Sequence, residues 1–139
     1  MSTRERTFWD DLATDLEDPE FLREYVLESV RIATIDTLIN VLDDARASAG
    51  LSKAALARAV EIDPAVVRRL FSSKHANPTL GTLSEIATAL GMRVTLEPMS
   101  PDEREILSDP LMQGQAGDAR ALAEYVEKSR GETGDFAHI

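Results

Sequence analysis

The chain has no cysteine. That excludes disulfide staples, thiolate metal sites and cysteine nucleophiles. Its two histidines, His75 and His138, are too few and too far apart in sequence for a histidine-built metal cage. Aromatic residues make up 5% of the 139 positions, too few for a stacking platform that would hold single strands or RNA. No apolar run approaches the roughly 18 residues a membrane span needs. The opening Met1-Ser2-Thr3-Arg4-Glu5-Arg6 leads into acidic residues instead of an apolar stretch, so no signal peptide is expected and a cytoplasmic location is. No Gly-rich phosphate loop, catalytic triad spacing or metal cluster stands out, so no enzyme, cofactor or metal is expected.

What is present is helix-forming sequence and unevenly placed charge. The formal net charge of -10 argues at first against a nucleic-acid partner. Its distribution does not. Residues 1–45 hold 4 basic and 12 acidic side chains, residues 46–97 hold 7 and 4, and residues 98–139 hold 4 and 9. A basic middle lies between acidic flanks, and local charge sets contact with a phosphate backbone. The length suits one domain with extra arms. We place an acidic N-terminal arm at 1–18, a helical domain at 19–98 and an acidic, partly helical C-terminal extension with a flexible tail at 99–139.

Glycine and proline, 7 and 6 in number, punctuate the helices. Asp18 is an N-cap with Pro19 in the first helical position. Apolar residues follow at helical spacing from Phe21 to Val30 and again from Ile35 to Ala45, as one helix or two, until Gly50. Ser52 caps a short helix to Ala59. Val60–Ile62 is a tight connection. Asp63 and Pro64 open a helix to about Phe71, with Val66, Val67 and Leu70 as its apolar contacts. A polar loop reaches Pro78, and Thr79 or Thr82 starts a helix that ends at Gly91. Met92–Glu97 then alternates apolar and polar residues, the period of a strand ended by Pro98. Asp118 can cap a last helix carrying Ala121, Leu122, Tyr125 and Val126.

Two short helices joined by three residues, flanked by longer apolar ones, make a helix-turn-helix candidate. Ala54, Ala55, Ala57 and Ala59 are small enough for the second helix to cross the first. Arg68 and Arg69 are placed to project from that second helix beside small Ala65, and arginine can pair bidentately with guanine edges in the major groove. Ser52, Lys53, Ser72, Ser73, Lys74, His75 and Asn77 sit at helix starts and loops suited to phosphate contact, and Asp63 and Thr79 are further candidate DNA-binding residues. Phe8, Trp9, Phe21 and Tyr25 are candidate anchors for a protein partner; packing back onto the domain is the alternative for the first two.

The strings Gly50-Leu51-Ser52-Lys53, Leu56-Ala57, Val66-Val67, Asn77-Pro78-Thr79-Leu80, Thr82-Leu83, Ile86-Ala87 and Ala89-Leu90-Gly91 resemble the Xre, or Cro/C1-type, helix-turn-helix family over about residues 50–96. With Asp18-Pro19-Glu20-Phe21 upstream, the chain is similar to the Xre-type antitoxins of addiction modules, including the host-inhibition-of-growth antitoxins. The resemblance implies an all-α fold. Its centre would be a lambda-repressor-like domain of five helices with a short C-terminal β-strand, binding operator DNA as a homodimer. It also implies neutralisation of a toxin, which the acidic arms suit if that toxin is basic. A repressor without a toxin, or a protein-interaction module, are the alternatives. Lys53 departs from the glutamine common after the capping serine, and Ala65 and Val66 depart from the family's serine or threonine.

Overall fold

In the computed structural model the described residues are 3–72 and 76–136. They are helical throughout their regular parts: α1 (Thr3–Asp15), α2 (Pro19–Ser48), α3 (Lys53–Ala59), α4 (Pro64–Ser72), α5 (Leu80–Ala89), α6 (Pro101–Glu103), a π-helical turn (Arg104–Ser108), α7 (Asp109–Gln113) and α8 (Ala119–Phe136). No strand occurs among the described residues. Met92–Glu97 alternates as a strand would, but a strand needs a hydrogen-bonded neighbour, and among the described residues it has none.

The chain divides into two compact units, one of Thr34–Leu96 and one of Met1–Ala33 with Glu97–Ile139. This grouping cuts across a division at 18 and 98, because helices at both ends of the chain share one core. The first unit has its core in Ile39, Leu42, Leu56, Ala57, Val67, Leu70, Leu83, Ile86 and Ala87. The second is built on Leu16, Leu22, Val26, Leu107, Leu122, Ala123 and Val126. In it α1 lies against α8, and Trp9, Leu12, Phe21 and Tyr25 pack onto the core.

Residues 19–48 form one helix, with the β-branched run Ile32–Thr37 inside it. Its buried positions explain why the pattern left this open. Leu22, Val26 and Ser29 are buried in its first half, Ile39 and Leu42 in its second. At 100° per residue these fall on different faces, so no single stripe runs the length of α2. Asp18 caps it, its Oδ1 accepting from the Glu20 amide at 3.0 Å. The last helix starts as expected, with Asp118 Oδ1 accepting from the Ala121 amide at 3.0 Å. The π turn has a local cause. Pro110 has no N–H to give the preceding turn and its ring crowds the carbonyl there, so the helix widens just before it.

Candidate nucleic-acid interface

Three helix ends in Thr34–Leu96 stop in the same way, and together they place α3 and α4. After α2, the Leu51 amide donates to the Arg46 carbonyl and the Gly50 amide to the Ala47 carbonyl, with Gly50 at φ 70°. After α5, Met92 and Gly91 donate to Ala87 and Thr88, with Gly91 at φ 77°. After α3, Ile62 and Glu61 donate to Ala57 and Arg58. Each is a Schellman cap, which needs a left-handed residue. In the third that residue is Glu61, at φ 56°, in the turn between the two short helices. The Arg46 side chain fixes the entry to α3: its Nη1 donates to the Leu51 carbonyl at 2.6 Å and its Nε to Asp43 at 2.9 Å.

Side-chain caps fix the starts. Ser52 Oγ accepts from the Ala55 amide at 3.0 Å. Asp63 Oδ1 accepts from the Ala65 amide at 2.8 Å. Thr79 Oγ1 accepts from the Thr82 amide at 3.1 Å and donates to Thr82 Oγ1. Asp63 and Thr79 therefore act first as helix starts. Ser72 Oγ donates back to the Arg68 carbonyl.

α3 and α4 pack against each other. α4 turns Val67 and Leu70 inward and leaves Val66, Arg68 and Arg69 exposed. Val66 is the one apolar contact expected there that the core does not take. Neither the Arg68 nor the Arg69 side chain has a hydrogen-bond or ion-pair partner among the described residues, and the same holds for the side chains of Lys53 and Arg58. A groove of about 420 Å³ runs beside α4, lined by Val66, Arg69, Leu70, Ala76, Asn77, Pro78, Thr79 and Thr82. It gathers Arg69, Asn77 and Thr79 from among the expected contact residues and adds Val66 and Thr82. Sequence spacing hid Thr82, because its nearness to α4 depends on how the 76–79 loop returns. Ser73, Lys74 and His75 lie outside the described residues.

The aromatic candidates belong to the other unit. Trp9, Phe21 and Tyr25 pack onto its core, and Phe8 alone of the four is exposed, at 50%. Phe8 and Trp9 meet edge to face at 5.2 Å, and Phe21 stacks on Tyr25 at 6.0 Å. The Tyr25 hydroxyl donates to Glu127 Oε1 at 2.7 Å. Burial, and then that hydrogen bond, push its phenol above the ordinary range. Arg130 lies over the Tyr25 ring and donates to Ser29 Oγ. Among the described residues no group of acidic or histidine side chains could hold a metal ion. No helix among them is long and apolar enough to cross a membrane.

A protein-family model described as a helix-turn-helix matches residues 42–96. The match begins near the end of α2 and covers α3, the Glu61 turn, α4 and α5. No curated protein and no solved structure matches the chain.

Proposed function

We propose that the chain is a sequence-specific regulator of transcription that binds double-stranded DNA as a homodimer, with α4 as its reading helix. The observation that carries this is the pair Arg68 and Arg69, exposed and unpaired on the outer face of α4 within the matched helix-turn-helix. An arginine without an internal acid has its guanidinium donors available for a guanine edge or a phosphate. Ser52, Lys53 and Asn77 would hold the backbone on either side. One short reading helix covers one half-site, so two copies are needed for a specific site.

The test is a mobility shift on the promoter of the chain's own gene, run over a salt series. Arg68→Ala should cost about 1–3 kcal/mol and relax specificity at one position. Lys53→Ala should weaken all sequences alike and flatten the salt dependence. If Arg68→Ala with Arg69→Ala leaves operator affinity untouched, α4 is not the reading helix.

A second reading adds neutralisation of a basic toxin. It is favoured by the charge of the unit formed by residues 1–33 and 97–139, which holds 8 basic and 19 acidic side chains. Such a surface repels DNA and attracts a protein whose own substrate is RNA. Deleting residues 1–17 is a poor test, since it removes Trp9, Leu12 and Leu16 from a core. Substituting exposed Phe8 by Ala is cleaner. Co-expression with the adjacent gene product should then show weaker capture and weaker growth protection with DNA binding intact.

A further inference from the structure

The segment after α5 is exposed at every residue from Gly91 to Ser100. Its apolar residues up to Glu97 are Met92, Val94 and Leu96, the last 96% exposed. They alternate with Arg93, Thr95 and Glu97. Among the described residues none from Arg93 to Met99 takes part in a backbone–backbone hydrogen bond, and neither Arg93 nor Glu97 has an ion-pair partner. An alternating segment with open backbone groups is a template for another strand.

We propose that its partner is the same segment of a second copy, paired antiparallel about a two-fold axis at Thr95. This rests on the dimeric reading above and makes it specific. The argument is that the segment complements itself. With Thr95 on the axis, Arg93 of each copy stands across from Glu97 of the other, and Val94 across from Leu96. One face of the ribbon then carries two ion pairs flanking a threonine pair. The other carries two aliphatic pairs. Opposite charges and aliphatic side chains directly across an antiparallel pair are the favourable combinations, and like charges the unfavourable one.

Other registers lose this. Parallel pairing in register sets Arg93 against Arg93 and Glu97 against Glu97. A slip of one residue sets Arg93 against Leu96 and mixes the two faces. A slip of two breaks both ion pairs. Pro98, with no N–H to donate, ends the ladder just past Glu97. The interface uses one patch on both copies and closes at two.

The test uses the full chain without DNA, with oligomeric state read by light scattering over a dilution series. The wild type should be a dimer. Arg93→Glu alone sets acid against acid at both crossings, and Glu97→Arg alone sets base against base. Each should weaken the dimer by about tenfold or more. The double exchange should restore it, and mixing the two single variants should give a heterodimer. Thr95→Cys, in a chain with no other cysteine, should form a disulfide-linked dimer on mild oxidation. A monomeric wild type, single variants that dimerise as the wild type does, or a double exchange that fails to restore would each overturn the pairing. If the dimer behaves as expected but the promoter DNA is not bound, the regulatory reading fails and the pairing stands.

Discussion

Residues 34–96 carry 7 basic and 6 acidic side chains, whereas residues 1–33 with 97–139 carry 8 and 19. Among the described residues the ion pairs fall mostly in the acidic unit. In the acidic unit Arg31, Arg120 and Arg130 sit within 2.6 to 3.4 Å of Glu28, Glu124 and Glu127, each three or four residues away on the same helix. In the other, Arg46 is committed to Asp43 and to the Leu51 carbonyl, while the Arg68 and Arg69 side chains have no partner among the described residues. Exposed helical ion pairs contribute only a few tenths of a kcal/mol each, roughly 0.3–0.5. Arg4, Arg23 and Arg104 of the acidic unit have no ion pair among the described residues either, but there 19 acidic side chains surround 8 basic ones, whereas α4 carries Arg68 and Arg69 and no acidic residue. An acidic chain can thus still present a basic face.

The comparison breaks or sharpens under substitution. The largest effects should come from the two cores. Leu56→Ala and Leu122→Ala each remove a fully buried side chain and should cost about 2–5 kcal/mol in chemical denaturation. Leu56→Ala should also abolish operator binding, whereas Leu122→Ala should leave it intact at temperatures where the protein stays folded. Loss of DNA binding in both would show that the units do not act separately.

Smaller effects follow. Tyr25→Phe removes the hydrogen bond to Glu127 and should cost about 1 kcal/mol. Because the folded phenol is raised, its contribution is fully present below the ordinary tyrosine value and lost as pH rises through the folded one. Wild type and variant should therefore converge in stability under strongly alkaline conditions. Fluorescence-detected unfolding across that range checks it. Operator affinity, which the proposed function assigns to the other unit, should not change. Smallest is Glu61→Gly. A left-handed residue with a Cβ is strained, so glycine should stabilise the helix-turn-helix by roughly 0.5–1 kcal/mol. A loss of stability would show that the glutamate side chain has a compensating role.

Much of the residues 51–91 region was legible because its signals are local. Ser52, Asp63 and Thr79 bond amides two or three residues ahead, and Gly50 and Gly91 take the left-handed positions that follow two helices. A cap is read from a few consecutive residues whatever surrounds them. The Glu61 cap was less legible, since glutamate gives no left-handed signal. Val66 is apolar at a helical spacing, and the pattern counted it with the core although α4 turns it outward. The Met92–Glu97 alternation is real in the sequence, but a strand is a relation between two segments, and the described residues supply only the first.

The sequence by itself determined where helices start and stop, which positions are apolar, and that positive charge gathers in the middle third. It did so because capping, φ preference and side-chain charge are properties of neighbouring residues. The tertiary structure decided which apolar stripes meet. Trp9, Leu12 and Leu16 share a core with Leu122, Ala123 and Val126, more than a hundred residues away, so flanks that read as arms form a unit of their own. It also decided which arginines have no acidic partner. Both depend on distances that chain separation does not encode: many stripes have the same hydrophobic period, and only packing selects among them.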